Sequence, residues 1–91
     1  MDFQYEKDRI FVTGDDGRVI AEVNFPEARE GVVDINRTFV DDSLRGQGVA
    51  GQLVTAVCSS LEKDGRKAIP TCSYAAKWFS QHPEKKGLLE E

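Results

Sequence analysis

A cluster of glycines in the middle of the chain has the residue types and spacing of a phosphate-binding loop. The loop reads Leu44-Arg45-Gly46-Gln47-Gly48-Val49-Ala50-Gly51-Gln52-Leu53. Small residues let the backbone approach a ligand closely, and the free N–H groups at the start of a helix, with the positive end of its dipole, favour an anion. Arg45 can add charge-assisted hydrogen bonds. The loop therefore predicts a phosphate or pyrophosphate site; the alternative is a glycine-rich loop that only permits tight packing.

Two common phosphate-binding motifs fit this loop poorly. The P-loop pattern fails because Gln52-Leu53 replaces Lys-Ser/Thr. The letters from Gly46 to Gly51 satisfy the dinucleotide pattern G-x-G-x-x-G, but a polar segment at 41–45 separates them from the preceding strand. The next strand ends in Ile69-Pro70-Thr71 without the expected acid. A dinucleotide-binding fragment is therefore the weakest of the interpretations.

A second group of chemically capable residues follows Pro70. Cys72 lies between a predicted strand and a predicted helix, where the helix N-terminus would lower the pKa of its thiol and make it a nucleophile; the alternative is a small buried hydrophobe. Tyr74, near the start of that helix, is consistent with an amphipathic packing residue. We expect Cys58 to lie in the core and His82 to pack or cap a helix end, since the chain has one histidine and no metal-ligand set.

The elements that must position these residues are predicted from the spacing of the apolar residues. This spacing changes near residue 41, from the alternation of strands to the longer period of a helix. The first forty residues predict an antiparallel meander, with strands at 9–12, about 19–25 and about 32–40. In the third strand, Val33, Ile35 and Phe39 are expected on one face, together with Arg37, which is unusual for an interior position. Pro26 to Gly31 is expected to be a connection.

From about Gly48 the apolar residues recur at helical spacing. They predict a helix that buries one face and ends near Gly65, a suitable C′ residue; its apolar positions are Val49, Leu53, Val54, Val57, Cys58 and Leu61. A short fourth strand is predicted at Lys67 to Pro70. Ser73 is the expected N-cap of a second helix through about Gln81, with Trp78 and Phe79 in the core.

Length and charge narrow the function classes. The 91 residues are expected to form one domain over 1–91. A net charge of −4 argues against a protein that binds nucleic acid through phosphate contacts. No apolar run reaches the roughly 20 residues of a membrane span, no signal peptide is visible, and two cysteines are too few for a disulfide scaffold. We therefore expect a cytoplasmic protein with reduced thiols.

The segment Arg45-Gly46-Gln47-Gly48-Val49-Ala50 matches the Arg/Gln-x-x-Gly-x-Gly/Ala signature of the GNAT superfamily of N-acetyltransferases. The order of antiparallel strands, polar loop, signature and long helix also resembles that superfamily. A miniature subfamily of about 90 to 100 residues is similar in further segments; these are Thr38 to Ala50, Pro70 to Ala75, and Trp78 with His82-Pro83-Glu84. The resemblance covers residues 8–84 and implies a compact α/β (α+β) fold, a mixed, largely antiparallel sheet with two flanking helices.

The resemblance implies an acyl-CoA-dependent N-acetyltransferase with acetyl-CoA as its donor. The amides of Gly46, Gln47, Gly48, Val49, Ala50 and Gly51, with Arg45, would hold the pyrophosphate, and the pantetheine arm would run beside Phe39 and Val40. Cys72 would accept the acetyl group or protonate the CoA thiolate, and Tyr74 is the other candidate proton donor. The acceptor would be an amine, either a small molecule or a protein lysine, with no nucleic acid or membrane as partner. Neither the acceptor nor the oligomeric state follows from the sequence.

Two positions depart from the subfamily pattern. Arg37 stands where members commonly have a histidine, and an arginine stays charged and cannot accept a proton. Lys85-Lys86-Gly87 follows His-Pro-Glu, where an aromatic residue is common. The first departure removes a candidate general base and favours the alternative function, a non-catalytic CoA-binding or regulatory module.

Overall fold

The computed structural model describes residues 2–90, which form seven strands and two α-helices. The strands are β1 (Gln4–Tyr5), β2 (Arg9–Thr13), β3 (Val19–Asn24), β4 (Glu27–Arg29), β5 (Val32–Ile35), β6 (Arg37–Val40) and β7 (Lys67–Pro70). The helices are α1 (Val49–Asp64) and α2 (Ser73–Gln81), and two short 3-10 helices span Asp42–Leu44 and Pro83–Leu88. Within residues 2–90, no helix is both long enough and apolar enough to cross a membrane.

The strands divide into two sheets. One is antiparallel with the order β1-β2-β3-β6, and the other has the order β4-β5-β7, in which β5 and β7 are parallel. Helix α1 forms the crossover that parallel neighbours require. The predicted mixed, largely antiparallel α/β fold with two helices is thus confirmed, although the strands form two sheets where one was expected.

A β-bulge at Asn36 divides the strand expected at 32–40. Arg37 pairs with Asn24, and the Asn36 N–H also donates to the Asn24 carbonyl at 3.2 Å. Two residues therefore oppose one, which shifts the alternation of side chains by one position. The segment before the bulge joins the second sheet as β5, and the segment after it joins the first as β6.

The bulge corrects the predicted faces of this strand. Thr38 and Val40 pair with the fully buried Val23 and Ala21, so they share the core side of the sheet. Phe39 pairs with Glu22 and lies on the other side, apart from Val33 and Ile35. The prediction that Phe39 shares their face was wrong, because an alternation counted through the bulge changes parity.

The core lies between the sheets and the inner faces of α1 and α2. All six apolar positions predicted on α1 are buried, and Trp78 and Phe79 of α2 join them. Gly65 ends α1 with a φ of 69°, as its predicted role requires. The strand predicted at Lys67 to Pro70 is also confirmed.

Three elements lie outside what the sequence predicted. Strand β1 precedes the predicted meander, and β4 occupies part of the expected connection at 26–31. In the C-terminal segment, for which no element was predicted, Leu88 and Leu89 pack against the core and Leu89 forms a bridge with Ala68 of β7. This segment thus extends the second sheet beyond β7.

Candidate functional site

A notch opens where β6 diverges from the chain that follows β7. Strand β5 pairs with β7 as far as Ile35 and Pro70, and the Cys72 N–H still donates to the Ile35 carbonyl at 3.0 Å. Beyond the bulge, β6 pairs only with β3, so its other edge faces residues 71–73. We call the space between β6 and residues 71–73 the notch.

Cys72 lies in the notch and is the N-cap of α2. Ser73, predicted as the cap, is instead the first helical residue. The Cys72 sulfur lies 3.6 Å from the Thr38 hydroxyl. Burial alone would raise the pKa of this thiol, but hydrogen bonds from the Ala75 N–H, the Thr38 hydroxyl and the N–H groups of Tyr74 and Thr38 outweigh burial and lower it. The environment therefore makes the Cys72 thiol easier to ionise than an ordinary cysteine.

The glycine loop is held by a short polar segment before α1. The Asp41 carboxylate accepts hydrogen bonds from the Ser43 N–H at 3.0 Å and the Ser43 hydroxyl at 2.6 Å, and these bonds lower its pKa. Gly46 and Gly48 then adopt φ values of 81° and 71°, a conformation that side chains rarely take. These two turns bring the chain directly into the first residue of α1.

The start of α1 has the features of an anion site. Gly48 precedes the helix and supplies no side-chain cap, so the first N–H groups point outward without a capping partner from that residue. Apart from each glycine itself and its two chain neighbours, no atom of residues 2–90 lies within 4 Å of the place a Cβ would take on Gly46 or Gly48. Arg45 is exposed and pairs with the equally exposed Asp42 at 2.8 Å. Such a surface pair is weak, which leaves the guanidinium free to bind an anion.

A cleft of about 250 Å³ connects the glycine loop to β6 and α2. Of the residues predicted to bind the cofactor, the cleft is lined by Val40, Arg45, Gly46, Gly48, Val49, Ala50 and Gly51. Tyr74 lines it from α2. Gln47 lies in the loop without lining the cleft, and the side chain of Phe39 lies on the far side of the sheet. The structure thus brings most of the predicted residues to one surface.

Tyr74 reaches across from α2 to α1. Its hydroxyl lies 3.5 Å from the position that a Cβ on Gly51 would occupy. Burial raises the pKa of this phenol above its ordinary value. Tyr74 therefore stays protonated at neutral pH and can only donate, not accept, a proton.

Arg37 is committed to an ion pair on the face of the sheet away from α1. Its guanidinium binds Glu22 at 2.6 Å, and Arg9 binds the other oxygen of the same carboxylate at 3.0 Å. Burial would raise the pKa of Glu22, but hydrogen bonds from Arg9, Asn24 and Arg37 outweigh it and lower the pKa. Neither Arg37 nor Glu22 is therefore suited to accept a proton near neutral pH.

Thr38 is the site residue whose role the sequence did not reveal. The sequence singled it out only as the first residue of a segment that is similar to the miniature subfamily. Its contact with Cys72 joins positions 34 residues apart, so no local pattern could show it. The usable signal is a polar residue on the core side of a strand, which becomes visible only after the bulge at Asn36 is located.

His82 and Cys58 occupy the structural positions that were expected. The His82 ring stacks on Trp78 at 3.9 Å and its Nδ1 lies 2.7 Å from the Trp78 carbonyl oxygen at the end of α2. Cys58 is fully buried on α1, and burial raises the pKa of its thiol to about 11. Neither residue lines the notch.

Comparison with solved structures shows the fold. A GCN5-like N-acetyltransferase assigned in Staphylococcus aureus is 22% identical with a TM-score of 0.82, covering 98% of this chain and 87% of its own. An acetyltransferase assigned in Agrobacterium tumefaciens is 25% identical with a TM-score of 0.65, over 81% and 56% of the two chains. A GNAT-family N-acetyltransferase from Escherichia coli, solved with CoA, is 31% identical with a TM-score of 0.58, over 68% and 38%.

Comparison of sequences shows the family. The comparison with curated proteins gave no match. The model of the GCN5-related N-acetyltransferase family matches residues 9–88, which include both sheets after β1, both helices, the glycine loop and the notch. The chain therefore belongs to the GCN5-related N-acetyltransferase family.

Proposed function

We propose that the protein is an N-acetyltransferase, one domain over residues 1–91, that moves an acetyl group from acetyl-CoA to an amine. The proposal rests on one observation, the cleft that joins the anion site at the start of α1 to Tyr74 and to β6 beside the notch. Family membership and the CoA-bound structure of the Escherichia coli relative support it. The acceptor is a small amine or a protein lysine.

The residues of the glycine loop fit the pyrophosphate of CoA. The outward N–H groups at the start of α1, the two open turns at Gly46 and Gly48, and the Arg45 guanidinium together offer donors and positive charge. The Gln47 N–H already donates to the Leu44 carbonyl at 3.3 Å, so Gln47 shapes the turn rather than offering a free donor. When bound, acetyl-CoA supplies a thioester whose carbonyl carbon is open to a nucleophile.

The free edge of β6 offers donors to the rest of the donor molecule. The Asp41 N–H donates to β3, and bonding alternates along an antiparallel pair, so the N–H groups of Phe39 and Arg37 also face β3. Those of Val40 and Thr38 then face the notch. We assign the Val40 N–H to the developing charge on the thioester oxygen, where a fixed donor acts as an oxyanion hole. The pantetheine arm would run along this edge, beside Val40 and the backbone of Phe39.

Cys72 and Tyr74 provide the proton and nucleophile chemistry. With its lowered pKa, Cys72 is suited to take the acetyl group before the amine does. In the direct route, the amine attacks the thioester and a protonated group must reach the leaving sulfur. Tyr74, whose raised pKa keeps it protonated, and the Cys72 thiol are the two donors beside the cleft and the notch. The two routes differ in whether Cys72 is acetylated.

One observation favours the second candidate function, a CoA-binding or regulatory module without catalysis. Arg37 is held by Glu22 and supplies no base at the position where relatives of this size commonly carry histidine.

For the enzyme, another residue must therefore receive the proton of the acceptor. The carboxylate of Asp34 lies beside the notch segment, where it accepts a hydrogen bond from the Thr71 hydroxyl at 2.6 Å. Asp34 is our candidate to receive the proton of the acceptor through water.

Calorimetric titration tests the donor site. Acetyl-CoA and CoA are expected to bind saturably, and NAD is not. Arg45→Ala should weaken binding about tenfold or more, the effect of losing a charge-assisted hydrogen bond, and Gly48→Glu should abolish it. Arg18→Ala is the matched control, because Arg18 forms an equally exposed pair with Asp16 at 3.1 Å in a distant turn. If neither acetyl-CoA nor CoA bound, the proposal would be refuted.

A transfer assay separates the enzyme from the binding module. We expect acetyl transfer to one or more members of a panel of amines and lysine peptides, and Cys72→Ala should stop it if the cysteine carries the acetyl group. Unchanged transfer by Cys72→Ala would leave the direct route with Tyr74 as the donor. CoA binding without transfer to any acceptor would favour the binding module.

A further inference from the structure

Asp34 and Thr71 are joined at the end of the parallel pair of strands. The Thr71 hydroxyl donates to Asp34 Oδ1 at 2.6 Å, a length typical of a hydrogen bond from a hydroxyl to an ionised carboxylate. In the register of β5 with β7, Asp34 lies opposite Ile69. Thr71 is two positions further along, so its side chain is on the same face as that of Ile69. The bond therefore holds Asp34 beside the first residue of the notch segment.

Both side chains lie on the face of the second sheet that is turned away from the core. Val33 and Ile35, the neighbours of Asp34 in β5, are 1% and 0% exposed and belong to the core. Side chains alternate along a strand, so Asp34 points to the other face. Asp34 is half-buried there and Thr71 is exposed. We call this face the outer side of the notch.

Cys72 points to the opposite side of the notch. It follows Thr71 directly, but its sulfur contacts Thr38, whose side chain shares the core side of β6. The cleft that leads from the glycine loop reaches the same side of β6 at Val40. Residues 71 and 72 thus present a carboxylate-bound hydroxyl and a thiol to opposite sides of the notch. A thioester on the core side and an amine on the outer side would meet between them.

The Asp34 carboxylate is not committed to a cation of the protein. Within residues 2–90, no ion pair includes Asp34. The contrast is Glu22, whose two carboxylate oxygens are each bound by an arginine. An amine or a water molecule that approaches Asp34 therefore meets no competing ion pair, and Thr71 restricts the carboxylate through Oδ1 only.

The proposed transfer needs an oriented group at this position. Whether the amine attacks acetyl-CoA or an acetylated Cys72, a bond forms between the amine nitrogen and the acetyl carbon. The C–S bond of the thioester then breaks, and its electron pair stays on sulfur. The amine nitrogen must also lose a proton, and a base takes up that proton efficiently only when it is held in position. An aspartate without a partner would exchange between rotamers.

We propose that Thr71 is a positioning residue for the acceptor half of the reaction. Its hydroxyl holds the Asp34 carboxylate on the outer side of the notch, in the orientation in which Asp34 receives the proton of the amine through water. This inference rests on the proposed function and adds to it a residue that acts through Asp34. Because both routes of transfer release the amine proton, the role of Thr71 does not depend on whether Cys72 is acetylated.

Transfer kinetics with acetyl-CoA and the best acceptor of the amine and lysine-peptide panel test this role. Thr71→Val should lower kcat about three- to tenfold, the effect of losing one hydrogen bond. The KM and the calorimetric affinity for acetyl-CoA should not change, since the hydroxyl lies on the outer side. Thr71→Ser keeps the hydroxyl and should retain the kcat of the wild type.

A double-mutant cycle shows whether Thr71 acts through Asp34. Asp34→Asn should lower kcat about 100-fold or more, the effect of losing a general base. Adding Thr71→Val to Asp34→Asn should lower kcat no further, because the group that Thr71 orients is already gone. Thr13→Val is the matched control: it removes a hydroxyl that bonds to Gln4 at 3.0 Å in the other sheet, and it should leave kcat unchanged in both backgrounds.

The outcomes separate this inference from the proposed function. An unchanged kcat in Thr71→Val, or the same fractional loss with and without the Asp34 carboxylate, would overturn the role of Thr71 and leave the proposed function standing. Failure of Thr71→Ser to retain activity would also count against the hydroxyl. If the wild type transferred acetyl to no acceptor of the panel, the proposed function would fall, and the role of Thr71 with it.

Discussion

The two cysteines place the same thiol in opposite environments. Cys58 lies fully buried on the inner face of α1, where burial raises the pKa of its thiol to about 11. Cys72 lies at the start of α2 beside Thr38, where backbone and hydroxyl donors lower the pKa despite partial burial. The difference teaches that burial suppresses ionisation of the Cys58 thiol, whereas hydrogen-bond donors at the start of a helix overcome partial burial and make Cys72 chemically available.

Alkylation provides the largest contrast between the two sites. A thiol with a pKa of about 11 holds at least about 100-fold less thiolate at pH 7 than one with a pKa below 9. We expect iodoacetamide to label Cys72 at least 100-fold faster than Cys58 in the native protein, as followed by mass spectrometry. Cys72→Ser should remove the fast phase, whereas Cys58→Ser should keep it. Comparable labelling of both cysteines would break the comparison.

In stability, measured by unfolding in urea, we expect the replacement of Cys58 to have the larger effect, the reverse of the order in reactivity. Cys58→Ser places a hydroxyl in a packed apolar core and should lower the free energy of unfolding by about 1–3 kcal/mol. Cys72→Ser should change it by less than about 0.5 kcal/mol, because serine is itself a good N-cap. Equal losses at the two positions would contradict the structural role given to Cys58.

Replacing Thr38 is expected to have the smallest effect on Cys72, and it tests the structure of the notch most directly. Thr38→Val removes the hydroxyl at 3.6 Å from the Cys72 sulfur and keeps the backbone N–H. Since this hydroxyl stabilises the thiolate, its loss should raise the pKa of Cys72. The pH profile of Cys72 alkylation should move upward, which slows the reaction about three- to tenfold below the midpoint, the effect of losing one hydrogen bond, and leaves it unchanged well above.

Thr13→Val is the control for this profile. Thr13 lies at the end of β2, where its hydroxyl accepts a hydrogen bond from Gln4 at 3.0 Å, and it does not contact Cys72. Its replacement should leave the alkylation midpoint in place. An unmoved midpoint in Thr38→Val would show that the backbone N–H groups alone tune the thiol.

The helical half of the fold was readable from the sequence, whereas the point where the two sheets meet was not. The apolar positions of α1 recur at a fixed period and Gly65 marks its end, so local pattern and tertiary packing agree. The bulge at Asn36 leaves no local signal, because the sequence from Val32 to Val40 has the pattern of one continuous strand. Strand β4 has no apolar alternation and is recruited by its partner β5.

The same division applies to the site. The glycine loop was predictable because its chemistry lies within one continuous stretch at the start of α1. The pairing of Thr38 with Cys72, and the convergence of Tyr74 and Trp78 on Gly51, join residues that are distant in the chain. Such contacts depend on the crossing of elements in space and not on the spacing of residue types.

The parallel pairing of β5 with β7 determines the order in which the notch can assemble. One wall, β6, pairs with β3 through a short chain connection, while the other wall arrives only after α1 has carried the chain back to the sheet. Long-range closure carries an entropic cost that later contacts must offset, so such pairings form late in folding and open early. The notch is therefore expected to be complete only in the fully folded chain, and exposure of Cys72 from its hydrogen-bond donors would mark the first step of its unfolding.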